Sequence, residues 1–571
     1  MRIARLSLLL AAAAPLVALH AQDDIVMKAM RDEMARSMHQ LTLENLAKPY
    51  FIAYRVVDSD AASVAASFGA LNHSRHNRYR MLAVEVRAGD YKLDNSHFYF
   101  FNMDQGTSMQ IFNGVTMVTV EDDYQELRRQ LWLATDSVYK KAVEDLSKKQ
   151  AALQNRTRTD ESDDFSKEDP VTTSHELPPA QIDVPQWESE ARALSALFRQ
   201  LPAIHTSSLS FYAYNSYTRY LTSEGTCYTR REPSISFSAS ATTQAADGAQ
   251  LDDFLWFHGR SLAEIPSQDE LASHIQALGK YLSDLRDAST LASYSGPVLA
   301  EGDAAPQMFR LMFLNDLIGA KRTINGMPGM QNNANQANQA DNPFLDRVGA
   351  RVLPEFLSVA DNPLIAEYRG HRMAGQSTVD EDGMLSREVR LVDNGILKAL
   401  LMSRDPVRGF EHSTGSRHAG QAAPSNVIVT TSAGLSAADL RAKFLDLVKQ
   451  RNHPFGIVVR RLRTANNVLL AYKVFPDGHE ELVRSLQFVG MNAQAFKDIV
   501  AVSQEPNFLT VQYRPPQNNQ GMMMTSESAE NSTPVSLAVP SLLFEDATMR
   551  KIRAVAPNPP VAGHPFFDKD K

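Results

Sequence analysis

Gly296-Pro297-Val298-Leu299-Ala300-Glu301-Gly302-Asp303-Ala304-Ala305 runs directly into Pro306-Gln307-Met308-Phe309-Arg310-Leu311-Met312-Phe313-Leu314-Asn315, and the placement of the chain turns on these two stretches. From Met308 to Leu317 the sequence is apolar enough to predict a buried amphipathic helix. Arg310 and Asn315 are polar exceptions in it. Five residues apart on an ideal helix, they lie roughly 140° apart, so their side chains converge only where a turn is widened, as in a π-bulge.

Together the two stretches resemble the TldD/PmbA (modulator of DNA gyrase) metalloprotease family, whose active members read GPVLxEGxAAxxxxHExxxH in this region. The resemblance implies two zinc-binding histidines and a general-base glutamate, and in that register their places are taken by Arg310, Leu311 and Asn315. Each replacement removes a piece of chemistry. A zinc hydrolase needs neutral imidazoles on the metal, an open position for water and a carboxylate to take that water's proton. Arg310 is cationic and offers donors only. Leu311 cannot move a proton, and the amide oxygen of Asn315 suits hard cations rather than zinc. Active members also take a cysteine ligand from near the C-terminus. The single cysteine here, Cys227, lies far upstream, and the corresponding stretch, Arg514-Pro515-Pro516-Gln517-Asn518-Asn519-Gln520-Gly521, reads as a Pro/Asn/Gln-rich insertion. Cys227 itself, in Thr226-Cys227-Tyr228, is expected to be an apolar filler in a strand. No metal or other cofactor is therefore expected in this chain, and the resemblance places zinc only in an active paralogue.

Other parts of the resemblance are intact. Val379-Asp380-Glu381-Asp382-Gly383, followed by Glu388-Val389-Arg390-Leu391-Val392-Asp393-Asn394-Gly395-Ile396-Leu397-Lys398, is similar to the family's DDEG…LVENGxLK hairpin. Asn394-Gly395 between apolar strands predicts a type I′ turn on its own terms. His412-Ser413-Thr414-Gly415-Ser416-Arg417-His418 is similar to the family's TGNGRR turn, which lies beside the cleft in active members. His412, Ser413, Gly415, Arg417 and His418 are thus candidate cleft-turn residues, with Arg310, Leu311 and Asn315 as degenerate positions lining the same cleft. Residues 481–496 and 534–546 look like the closing strands of that domain.

A chain of 571 residues is too long for one core. The expected class is α+β: a cleavable signal peptide over 1–21, a mixed α/β domain over 22–154, an exposed charged linker over 155–180, a middle α+β domain over 181–290, a β-rich TldD/PmbA-like domain over 291–548 and a flexible tail over 549–571. Helices are expected at 24–46, 124–153, 187–201 and 267–285. Strands are expected at 50–57 and 79–86, where Leu82, Val84 and Val86 alternate with polar or small residues, and at 207–231 and 234–241. An Asn/Gln tract at 331–339 has too little apolar surface to fold alone.

A net charge of −8 without a basic run argues against a nucleic-acid partner, since phosphate binding needs clustered Lys and Arg. No GxSxG elbow supports a serine hydrolase. His371, His412 and His418 have neither HExxH nor HxH spacing. Three readings remain. The chain is a zinc-less member that binds extended peptide or pairs, as a homodimer or with a zinc-bearing paralogue; or an active exported metallopeptidase with other ligands; or a structural envelope protein without a peptide cleft. Whether it is an enzyme stays open at this stage. Arg2 and Arg5, the apolar run 6–19 and Leu19-His20-Ala21 before Gln22 form a signal-peptide pattern, which implies a periplasmic or secreted protein. N-terminal sequencing of the native protein is expected to start near Gln22; an intact Met1 start in the cytoplasm would refute export.

Overall fold

The computed structural model describes residues 24–42, 46–99, 114–154, 161–325, 342–514, 532–552 and 559. The expected signal peptide, the Asn/Gln tract and nearly all of the Pro/Asn/Gln-rich stretch lie outside these residues. The class is α+β, with two large sheets and helices packed on them.

The first sheet has seven strands. Val115–Val118, Ala70–Ala88, Pro49–Ser67, Thr206–Thr222 and Cys227–Gln244 follow one another, and Thr172–Glu176 and Gln250–Gly259 both pair with the last. Strand periodicity divides Pro49–Ser67 between two environments. Its even positions, Ile52, Tyr54 and Val56 and then Ala62, Val64 and Ala66, face the helices. Helices Ile25–Gln40 and Tyr124–Gln154 cover one half of that face, and Val184–Ala196 and Gln268–Asp287 the other. Odd positions Phe51 and Ala53 turn to the opposite face, where they meet Phe165, Tyr220, Tyr228 and Val379. The helix starts are chemically marked. Asp24 accepts from the Met27 amide at 3.0 Å, and Ser267 and Glu270 form a reciprocal capping box.

Two expected domains are thus one. Strands from 49–88 and from 206–259 pair directly, Ala53 opposite Thr222 through Ala66 opposite Leu209, so 22–154 and 181–290 share a sheet. The expected exposed linker is corrected as well, because Asp164, Phe165 and Ser166 are buried and Thr172–Glu176 is a sheet strand. Charge misled the sequence reading there: buried Lys149 holds the Asp164 carboxylate at 2.5 Å, and Lys321 donates to the carbonyls of Ser162 and Asp163. Cys227 packs at the margin of the first-helix core, its thiol 4.0 Å from Met27 Sδ.

The second sheet has twelve strands built around Thr533–Lys551. That strand pairs with Ser293–Ala300, Leu486–Val489 and Ile499–Tyr513 antiparallel and with Asn426–Thr431 in parallel. Val535 to Phe544 is a near-continuous buried run, as expected of a strand covered on both faces. Helix Ala304–Met312 covers one face and Ala437–Gln450 the other. Among the described residues no helix is long and apolar enough to cross a membrane.

The Asn394-Gly395 turn forms as expected, with both residues at positive φ, +46° and +76°. A Cβ on Gly395 would sit 2.3 Å from the Leu353 carbonyl oxygen. Gly395→Ala therefore meets both backbone strain and a backbone clash, and is expected to lower unfolding stability by about 1–3 kcal/mol in denaturant titrations. An unchanged midpoint would show that the turn relaxes freely.

Candidate functional site

The degenerate motif begins where strand Ser293–Ala300 hands over to helix Ala304–Met312 through Glu301-Gly302-Asp303. Gly302 takes φ +57° in this tight turn. Arg460 holds the Glu301 carboxylate at 2.8 Å and Arg461 holds Asp303 at 3.2 Å, so strand Gly456–Leu462 clamps the start of the helix from the side. Ala304, Ala305, Met308 and Phe309 are buried, and Phe309 packs with Phe313 and Phe496.

The expected continuous helix to Leu317 does not form. Phe313 leaves helical backbone at φ −125°, ψ −45°, and the chain resumes as a 3₁₀ turn over Leu314–Leu317. Arg310 therefore sits in the last turn of the helix and Asn315 in the 3₁₀ turn. Both face Tyr513, the last residue of strand Ile499–Tyr513. The Tyr513 hydroxyl donates to Asn315 Oδ1 at 3.1 Å, and Tyr513 is the ionisable neighbour whose field acts on Arg310. Burial lowers the proton affinity of Arg310 and raises the pKa of the Tyr513 hydroxyl. Arg310 Nε is buried with no acceptor, and among the described residues no carboxylate pairs with this guanidinium. Next to Asn315, burial alone pushes the Asp316 carboxyl up to about 6. Leu311 is partly buried against the large core.

These residues do not fit zinc. Of the three positions singled out by the resemblance, Arg310 is a cation, Leu311 a hydrocarbon, and Asn315 an amide whose oxygen is already taken by a hydroxyl. Among the described residues, no three His, Cys, Asp or Glu side chains are grouped to hold a metal ion.

The candidate turn lies elsewhere. His412 is exposed, 3.5 Å from Glu168. Ser413 is buried and shapes the turn, accepting from the Gly415 amide at 3.0 Å, while Gly415 at φ +72° lies against the Leu385 carbonyl. Arg417 and His418 enter a buried charged junction between the two sheets. No hydrogen bond or ion pair among the described residues joins this turn to Arg310 or Asn315; its link to the motif is through Met402, beside the Leu401 carbonyl that receives the Gly319 amide.

At the junction, Asp380 accepts from the amides of Asp382, Met384 and Arg417. Burial, and then the Asp382 charge, nonetheless push its carboxyl upward. Asp405 is half-buried, and His97 at 3.1 Å, Arg87 at 3.4 Å and Arg417 hold it well below the usual carboxylate range. Arg404, fully buried, reaches from the second sheet's domain to Glu224 at 2.6 Å and to the Ser166 carbonyl. The Phe165 ring lies between the guanidinium groups of Arg404 and Arg87, at 3.9 and 3.7 Å. Burial pushes His418 down, so it is neutral at physiological pH.

Sequence reading found Arg310, Leu311 and Asn315 and missed Tyr513, which lies 198 residues from Asn315. Only its place just before the Arg514–Gly521 stretch marked it. The junction was missed because its acids and arginines are scattered from Glu85 to Arg417 without local spacing.

The model of the PmbA/TldA metallopeptidase C-terminal domain matches residues 319–551, starting just past the Leu314–Leu317 turn. Over these residues the chain carries a domain of the PmbA/TldA metallopeptidase C-terminal kind. Solved structures share the fold: a candidate modulator of a DNA gyrase from Thermotoga maritima (13% identity, TM-score 0.55, 92% of this chain and 99% of that one) and TldE from Thermococcus kodakarensis (11%, 0.55, 91% and 99%). A candidate modulator of DNA gyrase from Bacteroides thetaiotaomicron aligns equally well (13%, 0.55, 92% and 99%). No curated protein matches.

The junction predicts a specific energetic signature. Arg404→Met leaves half-buried Glu224 with only the Tyr91 hydroxyl as partner, and is expected to cost about 1–3 kcal/mol of stability. Adding Glu224→Leu should recover part of that loss in the same denaturant titration. Additive losses would mean the pair does not act as a unit.

Proposed function

We propose that this chain is an exported, non-catalytic TldD/PmbA-family protein that binds extended peptide and works as a partner subunit of a peptidase. The observation that carries this reading is the Arg310, Leu311 and Asn315 set, in which neither a ligand nor a base survives while the surrounding fold is complete. An unfilled sheet edge supports it. The hairpin at Asn394-Gly395, first expected to offer an edge, is covered: Gly349 donates to the Leu397 carbonyl, and the Leu397 amide donates to Ala350. The free edge is instead on Ile499–Tyr513. Around Ser503 it is met by Leu435, but from Glu505 to Tyr513 its outward backbone groups have no backbone partner among the described residues. Extended peptide can add there by main-chain hydrogen bonds, which makes binding tolerant of sequence and intolerant of folded substrates. The same edge can serve a second subunit, either another copy or a zinc-bearing paralogue.

Elemental analysis of protein purified without chelator is expected to find no stoichiometric zinc, and peptide cleavage should be absent. One zinc per chain, lost on chelation together with a peptidase activity, would instead establish an enzyme with other ligands. Sedimentation, alone and mixed with the paralogue, is expected to show a dimer. A strictly monomeric species that ignores both paralogue and unfolded peptide would favour the structural-protein reading.

A further inference from the structure

We infer that Arg310 and Asn315 form a receptor for the C-terminal carboxylate of an extended peptide, at the position where active relatives hold their metal. This rests on the peptide-binding reading above and assigns a substrate end to it.

A half-buried guanidinium is costly to keep without an anion, because its desolvation is not repaid by a partner. Arg310 is in that condition: its Nε is buried without an acceptor, and among the described residues no carboxylate faces it. Asp316 is close in sequence, but among the described residues it forms no ion pair or hydrogen bond with Arg310. Asn315 supplies the second donor. With Oδ1 accepting from the Tyr513 hydroxyl at 3.1 Å, the orientation of the amide is fixed and its exposed NH₂ group is left to a ligand. A planar guanidinium beside one amide donor matches the two oxygens of a carboxylate. A phosphate dianion would call for more than one cation.

The fold also sets direction. Tyr513 ends the strand whose free edge runs from Glu505, so a peptide added parallel to that strand brings its C-terminus to Arg310. An antiparallel peptide would bring its ammonium there and be repelled. Binding in one direction is therefore selected by charge at the end of the edge.

The test uses the full mature chain and a pooled library of unstructured synthetic peptides, long enough to span Glu505 to Tyr513, made both as free acids and as C-terminal amides. Wild type is expected to bind the acids about tenfold or more tightly than the amides, the loss associated with removing a charge-assisted pair. Arg310→Gln should abolish the difference, with circular dichroism confirming the fold. Exposed Asn315→Asp serves as a second variant: it keeps Arg310 but supplies it with an internal carboxylate, and should also abolish the difference. Equal binding of acids and amides by wild type overturns the inference while leaving peptide binding standing. No binding of either form overturns both. Inorganic phosphate competing more strongly than acetate would reassign the pocket to a phosphoryl group and likewise overturn the inference.

Discussion

Backbone pairing at Phe544 is what brings the two ends of the candidate site together. Phe544 lies opposite Val298 on one side and Ile499 on the other, so Thr533–Lys551 joins the strand that feeds helix Ala304–Met312 to the strand that ends at Tyr513. The meeting of positions 310, 315 and 513 follows from that register. A slip of one residue in either ladder would turn alternate side chains to the wrong face and separate them. The long buried run from Val535 to Phe544 guards against such a slip, since both of its faces are committed to apolar cores.

A second constraint joins the two sheets. Pro49–Ser67 gives its even residues to the helices and its odd residues to the junction, so one strand serves two interfaces. The junction is unusually ionic for a buried surface, with Arg87, Arg404 and Arg417 set among Asp94, Asp382, Asp405 and Glu224. Buried pairs of this kind are weak sources of net stability, because desolvation offsets most of the attraction. Their geometric demands are stricter. Charges that can be satisfied in only one arrangement hold the two sheets in one relative placement, which an apolar contact of the same area would not specify as sharply.

Local chemistry was the legible part. The Asn394-Gly395 turn, the helix spanning Tyr124–Gln154 and the loss of ligand chemistry at Arg310, Leu311 and Asn315 could all be read from adjacent residues. Non-local pairing could not. Nothing near residue 50 announces that its strand partners are residues 209–222, so one sheet was divided into two domains. Burial of charge was illegible for a related reason: Asp164 looks like linker in sequence and becomes interior only because Lys149 and Lys321 arrive from other elements. The break at Phe313 belongs with these, as the apolar pattern runs straight through it while the backbone does not.

Cys227 gives the molecule a built-in reporter. As the chain's single cysteine it can form no internal cross-link, so no disulfide contributes to the fold. Its thiol faces Met27 on the first helix, and that helix is tied to the sheet by Asp24 and Arg219. Cys227 is only half-buried, so a thiol reagent reaches it in the closed fold at a baseline rate, and lifting of the N-terminal helix shows as a rise above that rate before the whole chain unfolds.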